Sequence, residues 1–125
     1  MPQRIFPALA LLLLTPTALA EDKVANRCGW FDNPSPGNAT LEDRDGSWDI
    51  GIQGGHQAEG NWPEFKAEDK KQFARAGRGS YGHGCACLRV SVDREEMRIT
   101  KIVSAKVKPL ADCRRDPKLK EPAGS

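Results

Sequence analysis

The stretch Gly84-Cys85-Ala86-Cys87-Leu88-Arg89-Val90-Ser91-Val92 decides how the chain is read. Its residues alternate. Ala86, Leu88, Val90 and Val92 fall on one face, and Cys85, Cys87 and Arg89 fall on the other, which is the period-2 pattern of a half-buried strand. Asp93 to Glu96 make a turn. Met97 to Val107 then read as a second strand with Ile99, Val103, Ala105 and Val107 on one face. Lys101 interrupts that face and Ile102 adds an apolar residue to the other, so a bulge is expected here. Pro109-Leu110 ends the strand. Upstream, Asp45-Gly46 is a hairpin signal. It separates a short strand over residues 39–43 from a second one in which Trp48, Ile50 and Ile52 point inward.

The connecting segments are rich in turn residues. Asp32-Asn33-Pro34-Ser35-Pro36-Gly37-Asn38 reads as a turn cluster, because Pro fixes φ while Asn and Gly accept positive φ. Residues 53–64 form a Gly-containing loop. Pro63 suits the first turn of a short helix over residues 64–76, with Glu64, Glu68 and Asp69 near its N-terminus. The resulting fold class is all-β or β-rich α+β. It is a small antiparallel sheet, sandwich or partial barrel, stapled by disulfides.

Composition supports the staple. The 125-residue chain is 38% apolar, and much of that share lies in its first twenty residues. A core this lean needs cross-links. The formal net charge of +2 excludes a strongly cationic nucleic-acid binder and an acidic solvating protein. The length excludes Rossmann and TIM-barrel enzymes. No stretch after the N-terminus is long and apolar enough to span a bilayer.

Residues 1–20 read as a secretory signal peptide. Arg4 supplies the n-region cation, Ile5 to Leu14 the apolar run, and Ala18-Leu19-Ala20 the small residues before a cut at Glu21. The protein is therefore expected in the periplasm or outside the cell. Residues 21–27 read as a flexible N-terminal segment, residues 28–113 as a single domain, and residues 114–125 as a flexible tail.

The mature chain carries Cys28, Cys85, Cys87 and Cys113. An exported chain meets an oxidising compartment, so an even cysteine count implies disulfides. Four cysteines allow three pairings. Residues two apart on a strand stand about 6.5–7 Å apart, at the limit of disulfide geometry, which disfavours direct Cys85–Cys87 bonding. Cys28 and Cys113 are then left to take one partner each from the Cys85/Cys87 node, in either assignment. The rival reading is a metal site. His83, Cys85 and Cys87 share one strand face and, with Cys28 or Cys113, could surround zinc or copper.

Four segments carry a resemblance. They are Cys28-Gly29-Trp30-Phe31-Asp32-Asn33-Pro34, Asp43-Arg44-Asp45-Gly46-Ser47-Trp48, Gln53-Gly54-Gly55 and Tyr81-Gly82-His83-Gly84-Cys85-Ala86-Cys87-Leu88. Together they resemble a family of small exported Gram-negative bacterial proteins catalogued as domain of unknown function 4087. The resemblance spans roughly Cys28 to Cys113. It implies secretion and a paired-cysteine framework, and it brings no activity and no catalytic residues.

Residue chemistry points away from catalysis. His56 and His83 are the only histidines, each in a Gly-rich segment, and a general base needs a nucleophile or positioned water beside it. Ser80 lies near His83, but Arg78-Gly79-Ser80-Tyr81-Gly82 lacks the first Gly of a nucleophile elbow. Asp32, Asp43, Asp45, Asp49 and Glu59 offer carboxylate pairs for glycoside hydrolysis, yet a chain this short rarely builds a deep sugar cleft. The Gly run from Gly77 to Gly84 lacks the Gly-Lys-Ser/Thr of a P-loop. Trp30, Phe31, Trp62 and Tyr81 all sit beside turns. They read either as a roof over the core or as recognition anchors on a candidate binding loop. The expectation is a non-enzymatic binding or inhibitor module without cofactor, whose partner is a protein or envelope component. The alternative is a metal or redox protein using His83, Cys85 and Cys87.

Overall fold

A computed structural model describes residues 2–4, 8, 10, 23–77 and 79–123. The expected cleavage site and most of the signal segment lie outside the described residues. Among these residues seven strands follow in chain order: β1 (Ala25–Ser35), β2 (Asn38–Asp43), β3 (Gly46–Gly51), β4 (Glu59–Gly60), β5 (Phe73–Arg75), β6 (Gly82–Asp93) and β7 (Arg98–Lys108). One short helix, α1 (Leu110–Arg114), comes last. The sheet order is β4-β7-β3-β2-β1-β6-β5, and β6 also pairs with β7. The strands β1, β2, β3, β7 and β6 therefore close into a ring, a small barrel with β4 and β5 as appendages. The β3–β7 contact that closes it is short and parallel, Asp49 opposite Arg98. The sheet is thus mixed rather than purely antiparallel.

The barrel interior holds Phe31, Leu41, Trp48, Ile50, Leu88, Val90, Ile99 and Ile102, all buried. The alternation in β6 places Ala86, Leu88 and Val90 inward as expected. Two inward assignments differ. Ile52 is 42% exposed, because β3 ends at Gly51, which bridges to Gln57, so alternation stops one residue short. Val103 is exposed and Ile102 fully buried. The reason lies in the register. Val92 faces Ile99, Ser91 faces Lys101, Val90 faces Ile102 and Arg89 faces Ser104. Thr100 and Val103 are each an extra residue. Two bulges, rather than one, convert a spacing of three into a common face for Ile99, Ile102 and Ala105.

Three further expectations change. No helix forms over residues 64–76. Asp69 instead organises turns, its main-chain oxygen accepting from Gln72 and Phe73 and its carboxylate from Lys71. Phe65 and Phe73 then stack at 5.2 Å, and Phe65 lies 5.6 Å from Phe31, so the segment covers one end of the barrel. The Asp32–Asn38 cluster is mostly strand, with the reversal confined to Pro36 and Gly37, whose φ is 72°. Residues 25–27, expected to be flexible, pair with Arg89, Val90 and Leu88 as the start of β1. Their polar composition hid a buried Arg27, whose guanidinium lies 4.0 Å over the Trp48 ring and donates to Asp43 and Asp45, both at 2.9 Å. Burial disfavours that charge, but the two carboxylates outweigh it and hold the guanidinium protonated.

Gly29 marks a strand approach too close for any side chain. A Cβ there would sit 2.0 Å from the Glu42 carbonyl oxygen, which is backbone and cannot turn away. Gly29→Ala is expected to force β1 from β2 and cost about 1–3 kcal/mol or more. A thermal melt unchanged from the parent protein would rule this out.

Candidate functional site

The outer face of β1 and β6 carries the cysteine chemistry. Cys28 stands directly opposite Cys87, and Trp30 opposite Cys85. Cys28 bonds Cys87, and Cys85 bonds Cys113. Both ends of the domain are thus tied to one strand, as the i, i+2 spacing led us to expect. His83, Cys85 and Cys87 do share a face. Both sulfurs are consumed in disulfides, however, so the thiolates needed for the metal alternative are gone.

The second bond clamps α1 onto the sheet. Trp30, Cys85, Leu110 and Cys113 form a buried cluster, with Ala74 and Leu119 against it. Pro109 leads into α1 because its fixed φ suits the residue before a helix and it needs no amide partner. The tail, expected to be flexible, continues over this cluster. Arg44 donates to the Asp116 carboxylate through Nε at 3.0 Å and Nη2 at 2.7 Å. That bond holds the Asp116 carboxyl below its ordinary range. Arg114 donates to Glu121 at 2.5 Å. No local signal marks the Arg44–Asp116 pair, whose members are 72 residues apart.

Between α1, the tail and the β2–β3 hairpin lies a groove of about 430 Å³. Both disulfides line it. Its charged lining includes Arg27, Asp43, Arg44, Asp45, Lys108 and Asp112. Most of these charges are already paired, Arg27 with Asp43 and Asp45, Arg44 with Asp116, and Asp112 with Arg115. The walls therefore have a defined polar pattern on a covalently fixed floor.

The four candidate aromatics do not form one surface. Trp30 and Phe31 are 0% and 3% exposed and sit on opposite faces of β1. They are packing residues, which corrects their place in a binding loop: the turn cluster begins later than composition suggests, so both fall inside the strand. Trp62 is half-buried against Phe31 at 6.2 Å, and its indole N–H donates to the Ala58 carbonyl at 2.8 Å. Tyr81 is half-buried elsewhere, and its carbonyl accepts from the Ala76 amide.

The histidines are placed apart. His56 Nε2 donates to the Ile99 carbonyl at 2.8 Å, which assigns its proton to that nitrogen. His83 is buried with its ring edge-on to Trp30 at 5.2 Å. Its Nε2 lies 3.8 Å from Glu121. Asp32 faces His83 across β1–β6. Burial lifts the Asp32 carboxyl above its ordinary value of 3.8, His83 offsets part of this, and Glu42 adds to it. A carboxyl raised in the folded state loses stability as pH climbs from its unfolded value to the raised one, carries the full penalty above that, and carries none below the unfolded value. Asp32→Asn is therefore expected to stabilise the protein at neutral pH. The gain should shrink as pH falls through the raised value and vanish below about 3.8. Denaturant midpoints at several pH values measure it, and an asparagine variant weaker than the parent at pH 7 would refute it.

A family model described as a protein of unknown function, DUF4087, matches residues 22–120. The chain belongs to the DUF4087 family. The match extends past Cys113 to Lys120, so the DUF4087 region includes the tail segment that closes the groove. No curated protein and no solved structure matches the chain.

Proposed function

We propose that this DUF4087 protein is exported and acts, in the periplasm or outside the cell, as a non-enzymatic binding or inhibitor module. Its contact site is the groove over the disulfides, and its partner is a protein or an envelope component. The observation that carries this reading is a groove of about 430 Å³ whose floor is fixed by two disulfides. A site held in shape before contact loses less entropy on binding. A concave surface with a few positioned polar groups is the usual form of such a site. The analogy to other small stapled β domains is one of architecture alone.

Two measurements test the proposal. Intact-mass analysis of exported material should give a mature chain starting at Glu21; a retained N-terminus overturns export by cleavage there. The purified protein is then immobilised and exposed to envelope extract, in parallel with an Asn26→Trp variant that fills the groove and a Lys101→Glu variant on the far part of β7. Asn26 lines the groove, whereas Lys101 does not. Captured material should be lost with Asn26→Trp and kept with Lys101→Glu. Equal capture by all three proteins would place binding elsewhere.

A further inference from the structure

The two disulfides differ in accessibility. Cys85 and Cys113 are 4% and 2% exposed, beneath Trp30 and Leu110. Cys28 is exposed and Cys87 half-buried, on the open part of the same face. Each bond has a lysine facing it from β7, so the two are separated by access rather than by charge. Cys28, Cys87 and Lys106 form one row across β1, β6 and β7, since Cys28 is opposite Cys87 and Cys87 opposite Lys106. Arg89 follows two residues after Cys87 on that face, and Lys108 lies opposite Cys85. Among the described residues, Arg89, Lys106 and Lys108 have no carboxylate within ion-pair distance. Cations whose charge is not spent on a salt bridge act on whatever anion forms beside them.

We propose that Cys28–Cys87 is an exchange site for an incoming thiolate, while Cys85–Cys113 is the permanent structural staple. Reactive cysteines are found where a sulfur is accessible and flanked by positive charge. Both bonds have a lysine opposite, but only Cys28–Cys87 also has an accessible sulfur, which singles it out. An attacking thiolate of a dithiol reaches the exposed Cys28 Sγ and forms a mixed disulfide with it. The Cys28–Cys87 bond breaks and its electron pair leaves on Cys87 Sγ. That thiolate develops at the position directly opposite Lys106, whose positive charge stabilises it as a leaving group. The second thiolate of the same dithiol then attacks the mixed disulfide and releases Cys28. The net result is one dithiol oxidised to a disulfide and one protein disulfide reduced by two electrons, with the protons exchanged through solvent. The fold has reason to survive the opening. β1 and β6 are held by a continuous ladder from Ala25 to Asn33, and the buried bond still anchors α1.

The test uses the purified oxidised protein without denaturant. It is equilibrated in glutathione buffers of rising reducing strength, acid-quenched, alkylated and mapped by mass spectrometry, with circular dichroism followed in the same buffers. Cys28 and Cys87 should be alkylated at a reduced-to-oxidised glutathione ratio about tenfold or more below that needed for Cys85 and Cys113. The strand signal should remain unchanged through that first step. A Lys106→Glu variant should react about threefold or more slowly with dithiothreitol, whose thiolate is the attacking species, because the cation facing both the incoming and the leaving sulfur is replaced by an anion. Both bonds opening at one ratio would overturn the proposal. So would the buried pair opening first, loss of the strand signal with the first bond, or a Lys106→Glu rate equal to the parent's.

Discussion

Trp48→Ala is expected to lower stability by about 3–5 kcal/mol, the usual range for a large buried aromatic. Trp48 is 2% exposed and belongs to the barrel core. Its loss removes three things at once. The core loses the largest side chain of β3, leaving a void that Leu41, directly opposite on β2, cannot fill. The buried Arg27 loses the ring beneath its guanidinium. The Asp43 carboxylate loses the indole N–H that donates to it at 3.0 Å. The last two matter because a buried ion pair depends on every partner that satisfies it. Trp48→Phe narrows the contributions, since it keeps an aromatic ring in the core while removing the indole N–H donor. It should cost less than Trp48→Ala. Chemical denaturation of both variants measures the difference, and an alanine variant with a midpoint near the parent's would show that the barrel does not depend on this side chain.

Loss of the buried disulfide comes second in size. A Cys85→Ala/Cys113→Ala double variant is expected to cost about 2–5 kcal/mol, and the loop-entropy model gives about 3.5 kcal/mol for a separation of 28 residues. The effect should be localised as well as large. Only this bond ties α1 to β6 covalently, so residues 110–121 should lose amide protection far more than β1, β2 and β3. Trp30, now 0% exposed under α1, should become accessible to quenchers of its fluorescence. Hydrogen exchange reads the first effect and fluorescence quenching the second. Uniform loss of protection across the barrel would mean that the bond stabilises the whole domain rather than this corner. The exposed bond offers the contrast. Removing Cys28 and Cys87 leaves the β1–β6 ladder and the α1 anchor in place.

The sequence by itself determined whatever depended on neighbours in the chain. The alternation in Gly84–Val92 set β6 and its two faces, because side chains on a strand change sides at every residue. Asp45-Gly46 marked the β2–β3 hairpin because Gly accepts the turn's positive φ, here 136°. The even cysteine count and the two-residue spacing at Cys85 and Cys87 led to one bond for each chain end. The DUF4087 segments were legible for the same reason, each being a short contiguous motif. The groove was not legible. Its walls meet through Arg44 and Asp116, and its floor through a choice between two equally allowed cysteine assignments. The tertiary structure alone decided those. It also decided that Trp30 and Phe31 are core, that β7 needs two bulges to turn Ile99 and Ile102 the same way, and that polar ends at Ala25–Arg27 and Arg114–Glu121 are ordered by contacts. The physical reason is one of range. Strand period and turn chemistry act over a few residues, whereas ring closure, burial of Arg27 and docking of the tail depend on partners that only the closed barrel brings within hydrogen-bond distance.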